Sequence, residues 1–253
     1  MIAAEPHTFE WIKRGRENVV SPADRNQWQC RVRNIVPPIF QRYAKILHCL
    51  EAHYEHIDRP LSDREAEIVG LPDCGSVKTF VEVKRSKGPR FRWKEIADVL
   101  EVPFAAEITH GWFAKRLEPN PQCWPRFIWG PAEGNLDVEE RDELLAVLKP
   151  FSGSQQCYFR FAEMPFAGTE APILFAGSLE DLQPFLLEGK YQFSPEYWWP
   201  EDHSWCVCSD YDLTFTIVGG SASLIDRVLR IEGLETTEAN TDTRVDSLVP
   251  MPQ

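Results

Sequence analysis

The amino-acid sequence predicts an α+β protein in which a largely antiparallel sheet is covered by helices in a single compact unit. The chain has 253 residues, of which 43% are hydrophobic and 12% are aromatic, enough for a sizeable core. Short apolar stretches in its second half follow one another through short turns, which is typical of antiparallel strands. Other segments begin with capping residues and continue at the spacing of amphipathic helices.

The N-terminal part contains one strongly periodic segment. Residues 1–34 are polar, with isolated aromatic residues and no sustained period, and they are predicted to form a weakly structured lead-in. After Pro37-Pro38, apolar residues recur every three or four positions from Ile39 to Ile57. This spacing predicts a helix.

The middle of the chain gives weaker patterns. Residues 77–84 and 89–93 flank a turn-forming Gly-Pro pair, which predicts a basic hairpin. Residues 92–102 predict a short helix. Residues 103–131 are rich in Trp and Pro and predict an irregular segment lined by aromatic residues.

Alternating strands and helices are predicted after this segment. A capping pattern at Asp137, with Glu three residues later, predicts a helix that ends at Pro150. Strands are predicted at residues 157–161 and 173–175, and a helix with its own capping pattern begins at Ser178.

The last predicted elements are two strands and a helix. Residues 205–209 and 214–218 predict the strands, because apolar and β-branched residues are frequent in both. Gly219-Gly220 are then predicted to turn the chain into a helix whose N-cap is Ser221.

These elements define the expected domain organisation and location. One domain is expected over residues 35–235, followed by an acidic, flexible tail at residues 236–253. No apolar run approaches the roughly 18 residues that cross a membrane, and the first residues lack the apolar region of a secretory signal. The 7 cysteines are an odd number in a chain that needs no disulfides, so free thiols and a cytoplasmic location are expected.

Charge is distributed unevenly along the chain. The formal net charge is −12, and the residues from Ser194 onward contribute −8 of it. Such an acidic end predicts a protein partner with a basic surface. Between Lys78 and Lys94 the charge is +6, interleaved with aromatic residues, as in a nucleic-acid groove or a solvated hairpin. The pI near 5.0 and the absence of a nucleic-acid motif favour the hairpin, so nucleic-acid binding is not predicted.

Unusual residues concentrate between Tyr197 and Asp212. The aromatic residues are either core or the lining of a pocket or interface, since a Trp-Trp-Pro run in a loop cannot bury every ring. The carboxylates are either turn residues or ligands for a hard cation. A histidine beside a carboxylate is oriented as a general base would be, but no nucleophile accompanies it. The candidate pocket or interface consists of Trp198, Trp199, Asp202, His203, Trp205, Asp210 and Asp212.

Three weaker motifs each have a structural and a functional interpretation. Gly219-Gly220-Ser221 resembles a phosphate cradle in outline, but a turn and a helix cap explain it adequately. His53 and His56 have the spacing of neighbours on a helix, where an exposed face is favoured over a metal site. Cys206 and Cys208 lack a second pair at zinc-site spacing and are interpreted as small buried residues. The sequence therefore assigns no catalytic residue, metal ligand or cofactor.

One resemblance covers most of the chain. The C-terminal stretch is similar to a family of uncharacterised bacterial proteins, through a shared signature at Ser194-Pro195, Trp198-Trp199-Pro200, Asp202, Trp205-Cys206-Val207, Asp210, Asp212, Thr216, Val218-Gly219-Gly220-Ser221 and Leu224-Ile225. Weaker similarity extends back to about residue 35 and includes His48. Cys49 and Asp210 depart from the family pattern, which has proline and glutamate there. The resemblance implies a single cooperative unit and supplies no activity.

Two functional hypotheses follow. The first is a non-enzymatic interaction protein of the inhibitor or immunity kind, which uses its acidic, aromatic C-terminal surface against a basic partner. The alternative is an enzyme or small-molecule binder with a pocket formed by the seven candidate residues. The two differ in whether those side chains converge on one cleft.

Overall fold

A computed structural model of the protein describes residues 1–18, 29–52, 90–117, 128–129, 131–162, 173–188, 193–246 and 249–252. Contacts between Cα atoms divide the chain into two units. The first unit comprises Met1–Ser21, Cys30–His48 and Glu133–Thr243, and the second comprises Pro22–Gln29, Cys49–Ala132 and Arg244–Gln253. The domain predicted at residues 35–235 contributes to both units.

The described residues form eleven strands and seven α-helices. The strands are β1 (Ile2–Ala3), β2 (Arg42–Leu47), β3 (Leu50–Ala52), β4 (Arg90–Phe91), β5 (Ile128–Trp129), β6 (Cys157–Arg160), β7 (Leu174–Gly177), β8 (Tyr197–Pro200), β9 (Cys206–Cys208), β10 (Phe215–Gly220) and β11 (Glu235–Ala239). The helices are α1 (Glu10–Gly15), α2 (Val32–Ile35), α3 (Trp93–Leu100), α4 (His110–Leu117), α5 (Val138–Ser152), α6 (Leu182–Leu187) and α7 (Ala222–Val228).

The predicted α+β class with an antiparallel sheet is confirmed. The first unit contains an eight-stranded sheet in the order β1-β7-β6-β8-β9-β10-β2-β11, and each neighbouring pair is antiparallel. Helices α5, α6 and α7 contribute apolar side chains to the core on one face of this sheet. No helix among the described residues is long and apolar enough to cross a membrane.

The caps that the sequence predicts are present in this layer of helices. The backbone N–H of Glu140 donates to Asp137 Oδ1 over 2.8 Å, and the N–H of Asp137 donates to a Glu140 carboxylate oxygen over 3.1 Å. This reciprocal pairing satisfies donors that the first turn of α5 leaves unpaired. At α7, the Leu224 N–H donates to Ser221 Oγ over 3.2 Å. Both helices therefore begin where predicted.

The helix predicted from Ile39 to Ile57 is wrong over its described part. Residues Arg42–Leu47 form strand β2, which lies between β10 and β11, and Leu50–Ala52 form strand β3. Five of the six residues in β2 are buried, so both of its faces carry core residues. A strand buried on both sides loses the alternation of an exposed strand, and its apolar residues then match helical spacing by chance.

The two chain ends are more ordered than predicted. Residues 1–18 contain β1, a 3₁₀ turn at Pro6–Phe9 and α1. Ile12 is buried, and the ring of Phe9 covers part of the second face of the eight-stranded sheet by packing on Tyr197 and Trp199. In the predicted flexible tail, β11 continues to Ala239 and pairs with β2. Each segment lacks periodicity because it contributes only a few buried side chains to a sheet that other parts of the chain form.

Gly219-Gly220 do not form the predicted turn. They are the last two residues of β10, and a Cβ atom on Gly219 would lie 2.5 Å from a ring carbon of Phe40. Ring packing against the strand therefore explains this glycine, whereas the phosphate cradle required a loop. The chain enters α7 directly through Ser221.

The second unit is smaller and contains strands β4-β3-β5 with α3 and α4. Trp93 and Phe113 pack with ring centroids 5.2 Å apart, and the indole N–H of Trp112 donates to the Val249 carbonyl over 2.9 Å. The predicted helix at residues 92–102 is confirmed by α3, and α4 lies in the segment predicted as irregular. Most of the predicted basic hairpin, and His53 and His56, lie outside the described residues.

Candidate functional site

The Trp-Trp-Pro run lies in strand β8, not in a loop as predicted. All four residues of β8 are buried, because the strand is in the interior of the sheet between β6 and β9. Neighbouring residues of a strand point to opposite faces. Trp198 accordingly belongs to the core beneath α5 and α7, while Trp199 packs against Phe9 and Tyr158 on the other face.

Trp205 belongs to the same core as Trp198. The indole nitrogens of Trp198, Trp199 and Trp205 are buried, and none has a hydrogen-bond partner in the described structure. A buried unpaired N–H costs stability, so these rings are retained for their volume and not for their polar atom. The core interpretation of the tryptophans therefore holds for all three.

Asp202 and His203 form the turn between β8 and β9. The Ser204 N–H donates to Asp202 Oδ1 over 2.9 Å, which is the hydrogen bond of an Asx turn. His203 has a left-handed φ of 56° and stacks on Trp11, with ring centroids 4.1 Å apart. Burial lowers the pKa of His203, and the neighbouring Asp202 carboxylate only partly offsets this. The imidazole thus has a packing role at this turn.

Asp210 and Asp212 lie in the turn between β9 and β10, at the other end of β9. The Asp212 N–H donates to Asp210 Oδ1 over 3.1 Å, and Tyr211 between them is 52% exposed. The carboxylates of Asp212 and Asp210 raise the pKa of the Tyr211 phenol, because they disfavour its anion. This turn therefore presents a ring to solvent in a negative field.

The seven candidate residues do not converge on one cleft. The tryptophans are interior and divided between two faces of the sheet, and the two acidic turns are at opposite ends of β9. At about 3.3 Å per residue, the three residues of this strand and their flanks place the turns roughly 13 Å apart. The pocket required by the enzyme hypothesis is not formed by this set.

A hydrogen-bonded chain of His48, Thr216 and Ser209 lies inside the first unit. Thr216 Oγ1 is 2.9 Å from His48 Nε2 and 2.6 Å from Ser209 Oγ. All three residues are at most 1% exposed, so solvent and substrate do not reach the hydroxyls. The chain satisfies buried polar groups of the sheet.

Three of the described cysteines, Cys157, Cys206 and Cys208, are fully buried and unsuited to nucleophilic chemistry. Cys206 and Cys208 share one face of β9 and are fully buried, as predicted. Burial raises the pKa of both thiols well above the ordinary value, and it raises that of Cys157 to about 11. These thiols remain protonated at neutral pH.

Sequence reasoning missed the loop Glu133–Asp137, which docks on the exposed turn. The Gly134 N–H donates to the Leu213 carbonyl over 2.8 Å, and Gly134 has a left-handed φ of 62°. A Cβ atom at Gly134 would lie 2.5 Å from Tyr211 Cα, so only glycine permits this approach. The sequence pattern that could have indicated this loop is a glycine between acidic residues, just before a capped helix.

The hydrogen bond from this loop links two acidic segments of the chain. We use the name acidic surface for six of their carboxylates, those of Glu133, Glu139, Asp142, Glu143, Asp210 and Asp212. Residues 133–148 and 209–214 together carry eight carboxylates and one basic residue, a net charge of −7. That basic residue, Arg141, is buried and donates to Gln183 Oε1 over 3.1 Å. Of the seven candidate residues, only Asp210 and Asp212 belong to the acidic surface.

No protein-family model, curated protein or solved structure matches this chain. The similarity to a bacterial family over residues 35–235 therefore stays a prediction. The charges and geometry of the acidic surface are the remaining basis for a functional proposal.

Proposed function

We propose that this protein is a cytoplasmic, non-enzymatic interaction module of the inhibitor or immunity kind, which binds a partner protein with a basic surface. The observation that carries the proposal is the net charge of −7 in the two segments joined by the Gly134–Leu213 hydrogen bond. A module of this kind acts by covering the basic surface that its partner needs for its own function.

The acidic surface has the properties that electrostatic recognition requires. Glu133, Glu139, Asp142 and Glu143 are exposed, so their charges reach the solvent from a fixed loop and helix. Clustered charges of one sign steer an oppositely charged partner and raise its association rate. The raised pKa of Tyr211 supports the presence of such a field at the turn. The buried thiols of Cys157, Cys206 and Cys208 form no disulfide in the described structure, as expected of a protein in a reducing compartment.

Affinity capture with matched charge variants tests the proposal. The tagged wild-type protein is compared with an Asp142→Lys/Asp212→Lys variant and with a control variant, Glu5→Lys/Glu201→Lys. All four positions are exposed, both variants change the net charge equally, and the control positions lie outside the acidic surface. Capture is performed at about 50 mM and about 500 mM salt, where screening is weak and strong.

We expect a partner that the wild-type and control proteins retain at low salt, and that the Asp142/Asp212 variant releases. The captured protein should have a basic surface, and high salt should weaken its retention. Retention that is equal for all three proteins, or that is indifferent to salt, contradicts recognition through the acidic surface. Circular dichroism of both variants establishes that they are folded.

A further inference from the structure

Exposed apolar side chains accumulate around the loop that organises the acidic surface. Six large hydrophobic residues are exposed in the described structure, and three of them flank Glu133–Asp137: Val138 at 47%, Phe193 at 41% and Tyr211 at 52%. Single exposed apolar residues need no explanation, but a contiguous group on a folded surface indicates an interaction site.

Hydrogen bonds to the loop connect the backbone segments that carry these three side chains. Gly134 is bonded to the turn that carries Tyr211, and Asn135 Oδ1 accepts from the N–H of Ser194, beside Phe193, over 2.8 Å. Val138 follows the loop directly. A chain spans at most about 3.6 Å per residue, so Gly134 and Val138 are no more than about 14 Å apart. We call Val138, Phe193 and Tyr211 the apolar patch.

The backbone beneath the apolar patch is fixed before any partner binds. The reciprocal cap between Asp137 and Glu140 sets the start of α5, and Gly134 permits a backbone approach that a Cβ atom would block. Preorganisation of this kind lowers the entropy that binding costs. An aromatic ring at the centre of such a patch is the usual form of an interface anchor.

The charge around the apolar patch selects among possible occupants. A second copy of this chain has a net charge of −12 and an acidic surface of its own, so like charges would meet. An anionic membrane is disfavoured for the same reason. A cationic protein segment gains attraction from Asp210 and Asp212, on either side of Tyr211. Arginine suits this place best, because its guanidinium stacks on an aromatic ring while it pairs with carboxylates.

We propose that the apolar patch is the docking site for an arginine-bearing amphipathic segment of the basic partner, with Tyr211 as the anchor. The proposal rests on the proposed function and names the chemistry of its contact. Apolar side chains of the segment cover Val138 and Phe193, and an arginine stacks on Tyr211 between the two aspartates.

The probe is a synthetic peptide of arginine and leucine in an amphipathic pattern, labelled with a fluorophore, and binding to the whole protein is followed by anisotropy. An equivalent peptide with glutamate in place of arginine is the negative control. The protein variants are Tyr211→Ser and Val138→Ser, and the control is Ile39→Ser. Ile39 is 63% exposed, more than any residue of the apolar patch, and lies outside it.

We expect the Tyr211 and Val138 variants to weaken binding of the arginine peptide at least about tenfold, as at an interface anchor, and the Ile39 variant to change it less than about twofold. If the wild type and the Tyr211 variant bind the arginine peptide with equal affinity, Tyr211 is not the anchor. If the Asp142→Lys/Asp212→Lys variant still loses binding in that case, the acidic surface binds the peptide and the apolar patch does not contribute. Absence of binding to the arginine peptide overturns the proposed occupant, while capture of a native basic partner tests the proposed function separately.

Discussion

Substitution of Thr216 by valine tests whether the buried hydrogen-bonded chain stabilises the sheet. Valine keeps the branched shape and removes the hydroxyl that lies 2.6 Å from Ser209 Oγ and 2.9 Å from His48 Nε2. Both neighbours are at most 1% exposed and cannot turn to solvent. Each buried polar group that loses a partner costs about 1–3 kcal/mol, so for two groups we expect a loss of about 2–6 kcal/mol in the free energy of unfolding.

Urea denaturation followed by tryptophan fluorescence measures this loss, with Thr237→Val as the matched control. The Thr237 hydroxyl is buried in β11 of the same sheet and has no hydrogen-bond partner among the described residues. Its replacement is therefore expected to be neutral or stabilising. A Ser209→Ala/Thr216→Val variant should lose less than the sum of the single losses, because the two residues interact. A Thr216→Val protein within about 0.5 kcal/mol of wild type would refute the stabilising role of the chain.

Three further predictions address packing, thiol reactivity and pH. Gly219→Ala places a Cβ atom against Phe40, and overpacking of this kind is expected to cost about 1–3 kcal/mol in urea denaturation. Burial raises the pKa of the thiols of Cys157, Cys206 and Cys208. Iodoacetamide at pH 8, with mapping by mass spectrometry, should therefore modify these three cysteines only after unfolding. Hydrogen bonds from the Ser178 backbone and side chain lower the pKa of Asp181, so its stabilising contribution is present above the ordinary Asp pKa and is lost as pH falls through the lowered value. Asp181→Asn should reduce the acid dependence of stability, and an unchanged acid profile contradicts that role.

Local chemistry was the part of the fold that the sequence predicted well. The starts of α5 and α7 depend on side chains within three residues of the backbone groups that they satisfy, at Asp137 and Ser221. Strand β9 was predictable from a short apolar run next to a turn. Interactions of this range are complete within the sequence window that reveals them.

Interactions over longer range were the part that could not be predicted. Strand β2 is buried on both faces only because β10 and β11 flank it, and nothing in its own sequence states this. Phe9 is an isolated aromatic residue in a polar segment of the sequence. In the fold, its ring packs against the rings of Tyr197 and Trp199. In both cases the partners are more than a hundred residues away, so local periodicity carries no information about them.

The contrast between β8 and the acidic surface explains why the most distinctive residues were the least informative about function. Trp198 and Trp199 are conspicuous in sequence because an interior strand between two packed layers needs large side chains of definite shape on both faces. The acidic surface uses ordinary carboxylates, and the hydrogen bond from Gly134 to Leu213 links its two segments. The tryptophans are therefore explained by core packing. Recognition by charge depends instead on which common acidic residues the fold places near one another. The proposed interaction therefore involves Tyr211 and the carboxylates around it, and not the tryptophans.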